Sequence, residues 1–154
     1  MSALAHASEE VSGDTWPLAM IGLLTAQMYW SSAYRKLRSA NFMSGDRLAD
    51  YVDHSIRVEA QLPYREFFFP AWIRPLICPS SDPRVRRGWK ALSVATVVVE
   101  AVLPLLLLVP DLYVPAVVLG VLMHLGFLFL EPFGLLSFGL ASTSTYIFFS
   151  PALH

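Results

Sequence analysis

Residues 123–151 read MHLGFLFLEPFGLLSFGLASTSTYIFFSP, with no lysine, no arginine and Glu131 as the only formal charge. With the apolar run that begins at Leu112, this stretch is long enough for two membrane crossings hinged at Glu131 and Pro132. A spanning helix needs about 20 mostly apolar residues to cross roughly 30 Å of hydrocarbon. A soluble domain of 154 residues has no need of so long a nearly uncharged run, so the whole chain is read around it. Composition agrees. The chain is 55% hydrophobic and 15% charged, with a mean hydropathy of +0.52, whereas soluble domains carry about 25% charged residues.

The distribution of charge says more than its net value of −1. All 11 Lys and Arg fall between Arg35 and Lys90, while the N-terminus carries Glu9, Glu10 and Asp14 without a base. Basic loops stay on the cytoplasmic side of a membrane. The loop 35–88 is therefore expected in the cytoplasm and both termini on the opposite side. Nucleic-acid binding is not expected, because Asp46, Asp50, Asp53, Glu59, Glu66 and Asp82 interleave with the bases. The single cysteine, Cys78, excludes an internal disulfide and a cysteine-cluster metal site. His6, His54, His124 and His154 show no ligand spacing, so no metal is expected. Neither a glycine-rich phosphate loop nor a serine-nucleophile motif is present. Residues 1–14 are acidic and lack the basic start of a secretory signal, so the first apolar run reads as a retained helix.

The expected fold is all-α: an integral membrane four-helix bundle with an interfacial, amphipathic loop region between its first and second helices. The helices fall at about 16–34, 89–109, 112–130 and 133–149, in a single membrane domain 15–154 behind a flexible acidic segment 1–14. Tyr29, Trp30 and Tyr34 lie toward the second end of the first helix, where amphipathic rings favour the headgroup level. In the loop, Leu48, Val52 and Ile56 form one helical face among charges. That helix either lies in the membrane interface or packs on the bundle. The aromatic stretch 64–78 is broken by Pro70 and Pro75 and is too short to span, so 46–78 reads as interfacial. Small residues in the last helix, Gly134, Ser137, Ala141 and Ser142 among them, allow close approach of membrane helices.

Three ionisable residues stand out as candidate catalytic groups: Lys36, Glu100 and His124. Charged groups at membrane depth are expensive and normally turn inward to find partners. Glu100 sits near the middle of the second helix, so it is either protonated or paired. Ser93 and Thr96 share its face and could line a polar pocket with it. Lys36 and His124 lie toward the same end of their helices and could approach one another. Lys36 is alternatively a simple headgroup anchor beside Arg35 and Arg38. His124 alternatively bonds a serine or a backbone carbonyl between helices.

YWSSAYRKLRSANFMSGDRLADYV, residues 29–52, resembles part of the horizontally transferred transmembrane (HTTM) family, which includes vitamin K-dependent gamma-glutamyl carboxylase. The shared pattern is a spanning helix that ends in small residues, then Lys36-Leu37, an aromatic residue at Phe42 and Gly45. Residues 123–151 are similar to that family's histidine-containing helix and its Ser/Phe-rich final helix ending in Ser-Pro, and residues 100–104 fit its intervening helix. DoxX-type membrane proteins share the four-helix layout and a similarly placed lysine. The resemblance covers roughly residues 20–151. It implies a base at Lys36 supported by Glu100 and His124, acting on reduced vitamin K or menaquinone, with a peptide substrate in a carboxylase-like lyase. The DoxX likeness implies instead an accessory or scaffold subunit with other membrane subunits as partners. The lipid bilayer is a partner under both. A transporter is a weaker third reading, since no internal repeat is present.

Overall fold

A computed structural model of the chain describes residues 15–58, 61, 72–78, 82–130 and 132–150, and these residues form helices and the turns between them, with no strand among them. The acidic segment 1–14, most of the aromatic stretch 64–78 and the hinge residue Glu131 lie outside the described residues. The helices are α1 (Thr15–Leu37), α2 (Ala40–Met43), α3 (Asp46–Val58), α4 (Arg74–Ile77), α5 (Pro83–Leu107), α6 (Tyr113–Leu130) and α7 (Pro132–Ser144). A 3-10 turn at Pro110–Leu112 joins α5 to α6, and α7 tightens into a 3-10 segment, Thr145–Phe149.

Helix α5 begins earlier than the apolar pattern implies, because its start is polar. The Asp82 carboxylate accepts a hydrogen bond from the Arg84 N–H at 2.7 Å, and Pro83 occupies the first helical position, where its missing N–H costs nothing. Arg84, Arg86 and Arg87 thus belong to the first turns of α5, ahead of the expected start at 89. Pro104 lies inside the same helix. It has no N–H to offer the Glu100 carbonyl, which loosens the helix at that turn. Just beyond, the Trp30 indole N–H donates to the Ala101 carbonyl at 3.0 Å and ties α1 to the loosened turn.

The amphipathic face of α3 is turned onto α5. Ala49 and Val52 are buried against Trp89 and Leu130, with Leu48, Ile56, Ile77 and Val85 packed around them. The Trp89 indole N–H donates to the Ile77 carbonyl at 2.9 Å, which fixes α4 to the same corner. The turn into α3 passes so close to α5 that Gly45, at φ 82, has no room for a side chain: a Cβ there would collide with the backbone of Trp89 and Lys90.

The long helices close a cycle of contacts: α1 on α5, α5 on α6, α6 on α7, and the 3-10 segment back onto α1. At its centre Tyr29, Leu103, Leu107, Ala116, Tyr146 and Phe149 form one buried cluster. Two helical stretches are long and apolar enough to cross a membrane: Pro83–Leu107, 25 residues with 39% of its apolar window buried, and Pro110–Leu128, 19 residues with 17% buried. A core helix of a soluble protein is mostly buried; these carry Val98, Leu105, Val114, Val118 and Leu122 on exposed surfaces. Residues 135–149 form a shorter apolar helix.

Candidate functional site

The last turn of α1 delivers Lys36, and the middle of α5 delivers Glu100. The Lys36 ammonium donates to Glu100 Oε1 in an ion pair, with 24% of the lysine side chain and 5% of the glutamate side chain exposed. Lys36 Nζ also stands over two aromatic rings, 5.5 Å from the Phe42 centroid and 5.2 Å from the Phe127 centroid. Ring faces are negative and support a cation in an otherwise apolar wall. The second carboxylate oxygen, Glu100 Oε2, is buried and takes no hydrogen bond among the described residues. A buried polar atom without a partner is uncommon and asks for a reason.

His124 comes from the second half of α6 and is buried. Its Nδ1 lies 2.9 Å from the Gly120 carbonyl. A carbonyl only accepts, so Nδ1 carries the proton and donates it. In the neutral ring Nε2 is then an acceptor, and it faces the Tyr29 hydroxyl at 3.5 Å, which is long for a hydrogen bond. The Tyr29 and Tyr146 hydroxyls are 2.5 Å apart. With the Tyr29 proton directed at His124, Tyr146 donates to Tyr29. Edge-on contacts to Tyr29 at 6.1 Å and Phe127 at 6.2 Å hold the imidazole in place.

Gly120 serves this cluster twice. Its carbonyl fixes the His124 proton, and its missing side chain admits Tyr146: a Cβ at Gly120 would stand 2.5 Å from the Tyr146 hydroxyl and 2.7 Å from the ring. The Tyr113 hydroxyl donates to the Tyr146 backbone carbonyl at 3.2 Å, anchoring the 3-10 segment from α6.

These groups share a cavity of about 490 Å³, lined by Lys36, Glu100, His124 and Tyr29 together with Ser32, Arg35, Arg47 and apolar or aromatic residues including Phe42, Phe127 and Phe138. The three residues singled out from sequence thus line one cavity. Lys36 bonds Glu100 directly, while His124 lines the same cavity and no hydrogen bond joins it to Lys36 among the described residues. Ser93, Thr96 and Glu100 are all buried on the inward face of α5, yet only Glu100 lines this cavity. Thr96 lines a neighbouring apolar one, and the Ser93 hydroxyl has no partner among the described residues. Tyr29 faces into the helix packing. It is 3% exposed, whereas Trp30 and Tyr34 are 45% and 58% exposed. Its i, i+7 relation to Lys36 is the signal that places both on one helical face. Tyr146, Gly120 and Arg47 carry no comparable mark in the sequence.

Among the described residues no group of His, Cys, Asp and Glu is placed to hold a metal ion. Comparison with family models, curated proteins and solved structures gives no match to this chain.

Proposed function

We propose that the chain is a multi-pass integral membrane protein of the HTTM type, with α1, α5, α6 and α7 as the four helices of a membrane bundle. The basic loop between α1 and α5 faces the cytoplasm. The cavity of Lys36, Glu100 and His124 binds the ring of a reduced quinone of the vitamin K class. The observation that carries this reading is the Lys36–Glu100 pair on the wall of an aromatic-lined cavity that also presents His124. The fit is chemical. Small-molecule sites are mostly apolar hollows of about 300–1,000 Å³ with a few placed polar groups. Here flat rings at Phe42, Phe127 and Phe138 flank an amine, a carboxylate and an imidazole acceptor.

Within this reading each polar group has a role. Lys36 passes its proton to Glu100, which leaves a neutral amine beside a neutral acid. The amine then takes a proton at Nζ from the ligand hydroxyl and returns to the ammonium form. His124 Nε2 accepts a hydrogen bond from a second hydroxyl, displacing the long contact from Tyr29. The apolar walls keep bulk water from competing for the transferred proton. When bound, the reduced quinone supplies the acidic hydroxyl and the reducing equivalents.

A second reading has its own support. The same ion pair joins α1 to α5, and the Tyr29–Tyr146 bond joins α1 to the 3-10 segment, so these groups also hold helices together as in a DoxX-like accessory subunit. An organic extract of protein purified in mild detergent separates the two. Vitamin K or menaquinone retained in stoichiometric amount supports the ligand site. A quinone-free protein that carries a stoichiometric protein partner supports the accessory subunit.

A further inference from the structure

The cavity lining is electrically unequal. Arg35, Lys36 and Arg47 contribute three cations, and Glu100 is the one carboxylate. Lys36 takes up that carboxylate, and no second carboxylate lines the cavity for the two arginines. Among the described residues Arg35 donates to the Ser31 carbonyl of its own helix, at 3.2 Å, and to no carboxylate. Among the described residues Arg47 forms no ion pair, whereas Arg57 holds Asp53 at 2.8 Å and Arg86 approaches Asp46 at 3.9 Å. Both Arg35 and Arg47 are exposed, so they stand where the cavity reaches the surface. One comes from the end of α1 and the other from the start of α3, and both line this cavity. Behind them the wall is apolar, with Met28, Leu135 and Phe138.

A guanidinium presents a planar fork of donors that matches a carboxylate or a phosphate. An anchor for headgroups needs only charge near the interface, and Arg84 supplies that without lining the cavity. We propose that Arg35 and Arg47 form an anion subsite at the mouth of this cavity, which takes the carboxylate or phosphate of an amphipathic ligand whose apolar part reaches in toward Phe127 and Phe138. The inference rests on the reading of the cavity as a ligand site and adds to it an anionic ligand, held at the rim while a ring occupies the floor.

The test uses the full chain in nanodiscs of neutral lipid, with empty nanodiscs subtracted, and an acid–amide pair of equal shape, 2-naphthoate and 2-naphthamide. Isothermal titration should show the acid binding about tenfold more tightly than the amide, the worth of one charge-assisted contact. In the Arg35→Gln/Arg47→Gln double variant, matched to the wild type by thermal melting, the preference should fall to within about twofold while amide affinity stays unchanged. Arg84→Gln should keep the full preference. Displacement of naphthoate by phosphatidic acid in the nanodisc assigns the natural anion to a lipid headgroup. Displacement by soluble phosphate alone assigns it to the aqueous side. Equal binding of acid and amide, or a preference that survives in the double variant, overturns the anion subsite alone. Failure of both probes to bind overturns it together with the ligand-site reading.

Discussion

Removing one member of the Lys36–Glu100 pair leaves a charge in an apolar wall. Breaking a buried pair from one side costs about 3–5 kcal/mol, while replacing both charges by neutral groups is often harmless. Lys36 retains 24% side-chain exposure, so part of that cost is relieved by solvent. Glu100→Ala should therefore destabilise by roughly 2 kcal/mol, below the fully buried range. Glu100→Gln should lose less, because the amide keeps the shape and most hydrogen bonds. The charge-free Lys36→Met/Glu100→Gln protein should melt closest to the wild type in detergent. Identical melting of all four proteins would show that the pair contributes nothing to the fold. Lys36, Glu100 and His124 are legible in the sequence because a titratable group in an apolar run has few places to go. Tyr29 and Tyr146 are not, because a tyrosine serves equally at an interface and in a core. Arg47 is hidden for another reason: a base in a charged amphipathic helix reads as solvated until the partner helices set its neighbours.

At the scale of the element, α6 shows how one helix serves two surroundings. Gly120 faces Tyr146 across a contact with no room for a methyl group, whereas a Cβ at Gly126 meets nothing within 4 Å. Gly120→Ala should force the Tyr146 ring aside and cost about 1–3 kcal/mol, as overpacking does. Gly126→Ala should be neutral or stabilising by up to about 1 kcal/mol, because alanine is the better helix former. Detergent melting of the two variants checks this, with tyrosine near-ultraviolet dichroism reporting the ring at 146. Equal melting of both would contradict the packing of the 3-10 segment on α6. The long helices were legible from apolar runs and prolines, and the observed bounds of α1 and α6 lie close to the expected ones. The early start of α5 was not, since the Asp82–Pro83 cap is a local signal inside a charged stretch that reads as a connector. The tightening of α7 into a 3-10 segment has no mark in a composition that is apolar throughout.

For the whole molecule, two features matter together: helices whose apolar residues face outward, and bases confined to residues 35–90 of the chain. If the four long helices span the bilayer, cysteines at Arg86 and Asp111 lie on opposite faces of it. In a Cys78→Ser background, a membrane-impermeant maleimide should label the cysteine at position 86 only from the cytoplasmic side and that at 111 only from the other. The reverse pattern would invert the orientation, and labelling of both from one side would remove the spanning role of α5. Lys36→Arg in reconstituted membranes tests whether Lys36 accepts a proton inside a ligand cavity. Arginine keeps the cation and can still pair with Glu100, so insertion and melting should stay near the wild type. It cannot give up its proton near neutral pH and so cannot act as the base. Quinol-dependent proton exchange, followed with reduced menaquinone-4, should be present in the wild type and fall at least about a hundredfold in Lys36→Arg, the lower range for loss of a general base. A Lys36→Arg protein as active as the wild type would contradict the proton-accepting lysine and leave the pair as a link between α1 and α5.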